Sequence, residues 1–349
     1  MNRRAHRAFV VFAVIAAVAF CGTPGFTKPP VDPYDSSIPH EPTVLDDACP
    51  EGTELRLVHV ATASELAAAL QNAQAGDLIR MADGTYTGPF SALVSGTSYR
   101  PITLCGTRNA VIQTGSTSDL GFAFRVRASY WTLKGFTVTN AQQGVSVEGG
   151  SHNDIAGLAV HGIGQEAVKL FKLSSHNTVR NNRIYNTGVW YPEWGEGVYV
   201  GSYYGHWPQY SGGQPDASDY NQILDNDFGP DVRAEHIDVK EGTTGGLIHG
   251  NHFDGRGMVR SQTWVDSWVE IKGNSYTVSE NTGSVSLRDG FQAYQVLAGW
   301  GYDNIFTGNV ADVQASGYGF RVDTGAGHVV MCNNQVMNAG SGFANLPCT

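Results

Sequence analysis

Acidic residues recur at one position of a repeated sequence unit, immediately before a short alternating segment. Glu166, Glu196 and Glu235 each occupy this position, and Asp238 follows the last of them. If successive units stack, these carboxylates lie about 5 Å apart and repel each other unless a cation compensates them. Hard oxygen ligands of this kind suit Ca²⁺, so we predict a calcium site at these four residues. The alternative is a solvated acidic ladder that Lys169 partly neutralises.

Lysines stand at the last position of two of the same segments, at Lys240 and Lys272. A lysine beside carboxylates can serve as a base or can neutralise an acidic ligand. The alternative is a ladder of solvated charge, with Asp238 and Glu270 as ion-pair partners.

Aromatic residues from Trp190 to Tyr210, among them Tyr199 and Tyr203, crowd an insertion that makes one unit unusually long, at about 44 residues. Flat aromatic faces stack on sugar rings, and long loops on a regular scaffold commonly carry function, although a hydrophobic flap would have the same composition. The candidate substrate-binding residues, including charged ones on the same columns, are Tyr199, Tyr203, Trp264, Glu270, Lys272 and Arg321.

The element that positions these residues is a five-residue alternating strand, which recurs with Asn- and Gly-rich turns every 22 to 30 residues or so. Examples are Gly144–Glu148, His236–Lys240 and Trp268–Lys272. This pattern predicts an all-β, right-handed parallel β-helix whose second and fourth strand residues point inward. A propeller would need repeats of about 40 to 45 residues.

An N-terminal capping α-helix is predicted over 64–75, with Ser64 as N-cap and Gly76 as the stop. The following Asp77-Leu-Ile-Arg-Met-Ala-Asp-Gly-Thr-Tyr86 then starts the first coil. A capping helix followed by this segment resembles the secreted β-helix proteins of the pectate-lyase superfamily, over about residues 55 to 345. That superfamily contains lyases, hydrolases, epimerases and adhesins, so the resemblance implies fold more than function.

Glu235-x-x-x-x-Lys240 with Arg260 about one coil later resembles the family 6 polysaccharide lyases, the alginate lyase and chondroitinase B group. The resemblance implies calcium-assisted β-elimination on a uronate-containing polysaccharide. Lys240 would be the base and Arg260 the acid or charge neutraliser. Arg233 stands where that family has a second acidic ligand.

Two other functions stay open. One is a non-catalytic carbohydrate-binding surface protein, which the replacement of the second ligand by Arg233 favours. The other is a glycoside hydrolase with Asp238 and Glu270 as the carboxylate pair. The signature motifs of polygalacturonases are absent from the repeat region.

The composition limits the compartment and the partners. Residues 1–20 predict a signal peptide and residues 21–54 a Pro-rich linker, with residues 55–349 as the β-helix domain. Lipidation at Cys21 is an open alternative. A secreted monomer without a membrane span in its mature form is expected, and the net charge of −10 argues against nucleic acid as a partner.

Four cysteines follow the predicted signal and linker start, an even number that suits an oxidising compartment. Proximity favours the pairs 332–348 and 49–105, and two other connectivities stay open.

Overall fold

The structure is a computed structural model that describes residues 49–50, 52, 54–119, 121–260 and 265–349. The predicted signal peptide and almost all of the predicted linker lie outside the described residues. Three parallel sheets, the largest with 11 strands, wind into a right-handed β-helix. This confirms the predicted fold class and excludes a propeller.

Each coil after the first contributes one strand to each sheet, and the first contributes only Arg56–Val60, to sheet A. Sheet A contains Arg56–Val60, Asp77–Met81, Ile102–Cys105, Trp131–Lys134, Asp154–Ala156, Thr178–Arg180, Gln222–Leu224, Leu247–His249, Thr277–Ser279, Ile305–Thr307 and Val329–Val330. Sheet B contains Gly84–Thr87, Ala110–Gln113, Thr137–Ala141, Ala159–Ile163, Arg183–Tyr185, Asp227–Phe228, His252–Asp254, Thr282–Ser284, Val310–Ala315 and Gln335–Ala339. Sheet C contains Phe90–Ala92, Phe122–Val126, Gln143–Glu148, Val168–Phe171, Val198–Val200, Ile237–Val239, Ser267–Ile271, Asp289–Ala293, Tyr318–Val322 and Gly342–Ala344.

Sheet C has the predicted register. Lys169 pairs with Tyr199, Tyr199 with Asp238, and Asp238 with Glu270, so these side chains form one outward column. The flanking residues of each strand, such as Ile237 and Val239, are fully buried in the core. Strand alternation therefore separates a polar outer face from an apolar interior.

Stacked asparagines close the turns between the sheets. At the turn from sheet A to sheet B, Asn226 Oδ1 accepts hydrogen bonds from the backbone N and the Nδ2 of Asn182, and its own Nδ2 donates to Asn251 Oδ1 at 2.9 Å. The same arrangement continues through Asn281, Asn309 and Asn334. Because every amide has partners above and below, the ladder satisfies buried polar groups that the turns would otherwise leave unpaired.

A helix covers the N-terminal end, as predicted, but its bounds differ. It spans Ala63–Gln71, and its N-cap is Thr62, whose side chain accepts from Glu65 N, while Glu65 Oε2 accepts from Ala61 N. Because of these two reciprocal hydrogen bonds, the N-cap is Thr62 rather than Ser64 and the helix begins at Ala63. Leu66 and Leu70 of the helix are buried in the core. The strand Arg56–Val60 precedes it and pairs with Asp77–Met81, so the first coil begins earlier than predicted.

The remaining helical turns are short and lie in the long insertion: Pro192–Trp194, Tyr204–His206 and Trp207–Tyr210. Among the helices in the described part of the chain, none has the length and apolar character needed to cross a bilayer.

Two disulfides join Cys49 to Cys105 and Cys332 to Cys348, which confirms the favoured pairing. One bond therefore fastens each end of the solenoid.

Candidate active site

A cavity of about 620 Å³ opens on the outward face of sheet C. Its floor is the column from Lys169 to Glu270, and its sides are the turns that precede and follow the sheet C strands. The sequence-predicted residues that line it are Glu166, Glu196, Tyr199, Tyr203, Glu235, Asp238, Lys240, Glu270 and Lys272. The β-helix thus brings together residues more than 100 positions apart in the chain.

Three of the four predicted metal ligands form a cluster. Each of Glu196, Glu235 and Asp238 offers a carboxylate oxygen, and these oxygens all lie within 4.8 Å of one another. All three residues are buried, and Glu196 Oε2 has no hydrogen-bond partner in the structure. A buried, unpartnered carboxylate oxygen beside two others calls for protons or a cation.

Burial raises the pKa of Glu196 to about 8, and the neighbouring Glu166 and Asp238 carboxylates add to this shift. Burial also raises the pKa of Glu235 well above its ordinary value, with the Glu270 and Asp238 carboxylates acting in the same direction. In the absence of a cation, burial and the neighbouring carboxylates therefore favour the protonated form of Glu235.

Glu166, the fourth predicted ligand, has other partners. Its Oε1 lies 2.7 Å from Lys169 Nζ, and its Oε2 accepts a 2.7 Å hydrogen bond from Gln143 Nε2. Burial acts to raise the pKa of Glu166, but Lys169 and Gln143 outweigh it and leave the pKa lowered. Glu166 is therefore an ionised partner of Lys169, at the margin of the acidic cluster.

Asp238 bridges the two predicted lysines. Asp238 Oδ2 lies 2.5 Å from Lys240 Nζ, and its Oδ1 lies 2.7 Å from Lys272 Nζ. Burial acts to raise the pKa of Asp238, but the two lysines outweigh it and lower the pKa. Lys272 also binds Glu270 Oε2 at 2.7 Å, and that oxygen accepts a hydrogen bond from Tyr294 OH. Asp238 is thus an ionised member of a charge network that also contains Glu270, and a lowered pKa does not suit Asp238 for the protonated acid of a hydrolase pair.

Tyr199 lies in the centre of the floor between two lysines. Lys169 Nζ is 4.3 Å and Lys240 Nζ 5.0 Å from the centroid of its ring. Burial raises the pKa of Tyr199 well above its ordinary value, with Asp238 and Glu196 contributing against the effect of Lys169. The phenol is therefore protonated at neutral pH and able to donate a proton.

The aromatic insertion forms one wall of the cavity. Tyr203, Tyr204, His206 and Tyr210 line it, and Tyr204 N donates a 2.6 Å hydrogen bond to Glu241 Oε1. Trp207 is buried beneath them, and its Nε1 donates to Ser202 O. The insertion is thus packed on the solenoid and also presents aromatic rings to the cavity.

Known proteins share this architecture. A family model described as "Pel9A-like, right handed beta helix region" matches residues 52–189. Among solved structures, an alginate lyase from Paenibacillus sp. strain FPU-7 is 36% identical, with a TM-score of 0.77, and the match covers 83% of this chain and 99% of that one. The chain belongs to the β-helix polysaccharide lyases.

More distant structures resemble the lyase in fold. Pectate lyase Pel9A is 18% identical over 87% of this chain and 80% of its own, with a TM-score of 0.58. A variant of the family 6 alginate lyase AlyGC is 17% identical over 79% of this chain and 40% of its own, with a TM-score of 0.50. The expected resemblance to the pectate-lyase superfamily and to family 6 is confirmed at this level. Curated protein sequences give no significant match.

Two predicted site residues of the lyase, Arg260 and Arg321, do not line the described cavity. Arg260 is exposed, follows the sheet B strand His252–Asp254 and is not part of a sheet C strand. Arg321 lies in the outward column but two coils beyond Glu270, where it is exposed. Trp264 lies outside the described residues.

Other residues of the cavity were not predicted. Tyr294 occupies the same column as Lys240 and Lys272, so its position was readable from the repeat. Gln143 stands in the column of the three glutamates. Glu241 follows Lys240 directly and points to the insertion, which strand alternation alone does not reveal.

Proposed function

We propose that this lyase cleaves a uronate-containing polysaccharide by β-elimination in the cavity on sheet C. The observation that carries the proposal is the placement of Lys240 beside Tyr199 on adjacent coils, with Lys240 Nζ 5.0 Å from the ring centroid. One group can take a proton and the other can give one within a single sugar ring of each other.

Lys240 removes the C5 proton of the uronate once its ammonium has left Asp238 and lost a proton to solvent. The electron pair left at C5 forms the C4–C5 double bond as the bond from C4 to the glycosidic oxygen breaks. Tyr199 OH protonates that oxygen, which departs as the new chain end. Tyr199 takes the role first expected of Arg260, because Arg260 lies outside the cavity whereas Tyr199 lies in its floor.

The C5 proton is acidic only when the charge of the adjacent carboxylate is offset. Lys169 and Lys272 line the cavity on both sides of the Lys240 coil and supply positive charge. These groups orient the sugar with C5 toward Lys240.

We further propose that Glu196, Glu235 and Asp238 hold a calcium ion. The oxygen ligand set fits, since the three carboxylates converge within 4.8 Å and one buried oxygen lacks a partner. When bound, the ion would offset the negative charge of the cluster and of the substrate carboxylate.

Export completes the proposal. Residues 1–20 have the character of a signal peptide, and two disulfides are typical of an oxidising compartment. We propose that the lyase acts outside the cell, as a monomer, on a polysaccharide too large to enter it.

The test follows the ultraviolet absorbance of the 4,5-unsaturated uronate. Purified protein is incubated with alginate, pectate, glucuronan, chondroitin or hyaluronan, with calcium and with chelator. We expect the absorbance to rise on at least one polymer with wild type. Lys240→Ala should abolish this rise, whereas the matched control Lys134→Ala, on sheet A, should retain it. A rise that is unaffected by chelator would remove calcium from the proposal and leave the two residues in place.

The competing function is carbohydrate binding without catalysis. No absorbance rise on any polymer, together with retention of the protein in gels that contain one of them, would favour it over elimination.

A further inference from the structure

A cluster of three cations lies on sheet C beside the cavity, around one carboxylate. Glu148 Oε2 is 2.8 Å from Lys172 Nζ and 3.1 Å from Arg127 Nη2, and Glu148 Oε1 is 3.5 Å from Arg125 Nε. Burial acts to raise the pKa of Glu148, but the three cations outweigh it and lower the pKa. With one carboxylate for three cations, the cluster has a local excess of positive charge in a chain whose net charge is −10.

The cluster is continuous with the cavity. Lys172 Nζ lies 4.7 Å from the ring centroid of Phe171 and 5.1 Å from that of Tyr210, which lines the cavity. Lys169, on the cavity floor, lies 5.2 Å from the same Phe171 ring. A chain leaving the cavity along the axis therefore passes from aromatic rings directly onto the cations.

The cations are accessible and partly unsatisfied. The side chains of Arg127 and Lys172 are 49% and 31% exposed, whereas that of Glu148 is 6% exposed. The buried Nε of Arg125 makes no hydrogen bond in the structure. The three cations surround a buried carboxylate, and their N–H groups either face solvent or lack an acceptor. Such donors can bind a further anion.

Lys172 is held in position by a separate buried group. It has a left-handed backbone, with φ of 60°, and its backbone N donates a 3.0 Å hydrogen bond to Asp216 Oδ2. The same oxygen accepts a 2.7 Å hydrogen bond from Ser202 Oγ, directly before Tyr203 of the cavity wall. One carboxylate thus fixes both the cation and the cavity wall, which favours a preorganised site over a loose surface charge.

We propose that Arg125, Arg127 and Lys172 form a distal subsite that binds a uronate carboxylate of the polysaccharide several sugar residues from the scissile bond. The inference rests on the proposed function for its substrate class. Coils are spaced by about 4.8 Å, so the Lys172 coil lies about 10 Å and the Arg127 coil about 19 Å from that of Lys240. The substrate lies along the axis of the β-helix, and the subsite adds affinity for long chains.

The experiment compares wild type, Arg127→Ala/Lys172→Ala and the control Arg183→Ala. Arg183 has a comparably exposed side chain, 46%, and an acidic neighbour, Asp227, but lies on sheet B. KM and kcat are measured by absorbance on a trisaccharide and an octasaccharide of the polymer that wild type cleaves. We expect the double variant to raise KM for the octasaccharide about two- to tenfold, to leave kcat unchanged, and to behave as wild type on the trisaccharide. If wild type has the same KM for the trisaccharide and the octasaccharide, the subsite is overturned.

Retardation of each protein in gels containing alginate or pectate, at low and at high salt, gives a second readout that needs no turnover. We expect wild type and Arg183→Ala to be retarded at low salt and the double variant to be released. Failure of the proposed function shows as wild type that cleaves nothing, whereas failure of the subsite shows as a double variant retarded as strongly as wild type. Wild type that migrates freely in every gel contradicts the subsite as well.

Discussion

Two stacks of polar side chains run through this β-helix at the same spacing. The hydrogen-bonding groups are satisfied in one stack and are not all satisfied in the other. In the asparagine ladder, each amide both donates and accepts, so Asn182, Asn226 and Asn251 satisfy one another. In the glutamate column, Glu196 and Glu235 offer only acceptors when ionised, and one oxygen of Glu196 stays unpartnered. The same repeat geometry thus stabilises the coil with amides and creates a demand for protons, cations or ligand with carboxylates.

The sharpest test of this comparison is Tyr199→Phe in the charged stack. Loss of the hydroxyl removes the proposed proton donor, so kcat should fall by about 10²- to 10⁴-fold. The midpoint of thermal unfolding should stay within a few degrees of wild type, because the ring and its cation contacts remain. Tyr185→Phe, on sheet B, is the control that should keep full activity. An unchanged kcat in Tyr199→Phe would return the role of acid to another residue.

Breaking the amide stack should have the reverse effect. Asn226→Ala leaves the backbone N of Asn182 without its acceptor, removes one of the two acceptors of Asn182 Nδ2 and takes one donor from Asn251 Oδ1. The free energy of unfolding should fall by about 2–4 kcal/mol. Urea denaturation measures the loss, and kcat at a temperature where the variant is folded should match that of wild type. The exposed Asn333→Ala should lose much less. A free energy of unfolding equal to that of wild type would mean that water replaces the lost hydrogen bonds of the ladder.

The smallest expected effect is a pH dependence confined to the glutamates. Because the pKa of Glu196 is raised to about 8 in the folded protein, its contribution to stability is full below about pH 4.5 and is lost as the pH rises through 8. Calcium-free protein should therefore show an unfolding midpoint several degrees lower at pH 8 than at pH 5, and Glu196→Gln should reduce this difference. The exposed Glu193→Gln at the cavity rim is the control. A flat profile in wild type would show that the cluster is not strained by charge.

Sequence reasoning was sufficient for the scaffold because the repeat is dictated by strand alternation and by Asn and Gly turns. The outward column of Lys169, Tyr199, Asp238 and Glu270 follows from counting residues within each strand. Stacking alone also placed Lys240 next to Lys272, one coil away on the same face.

The contacts that these side chains make are harder to predict from the sequence. The glutamate column does not reveal that Glu166 turns toward Lys169, because residues before a strand lie in turns where direction is set by tertiary contacts. The prediction for Arg260 depends on its distance from Lys240 in sequence, but coils differ in length, so a fixed spacing does not place a residue on the face of sheet C. The basic cluster is not apparent from the acidic and lysine columns of the repeat, because its arginines lie on an earlier coil.

A second asparagine ladder, formed by Asn153, Asn177 and Asn221 just before the sheet A strands, spans the aromatic insertion. Asn177 N donates to Asn221 Oδ1 across 44 residues, with a bond of 2.8 Å that matches the 2.9 Å between Asn153 and Asn177, 24 residues apart. The coil therefore closes in the same register whether or not a loop leaves it. The segment between Ser202 and Asp216 is in this sense an exchangeable module, in which loops of other lengths could reshape the cavity while the hydrogen bonds of Asp216 and Ser218 anchor its end to the solenoid.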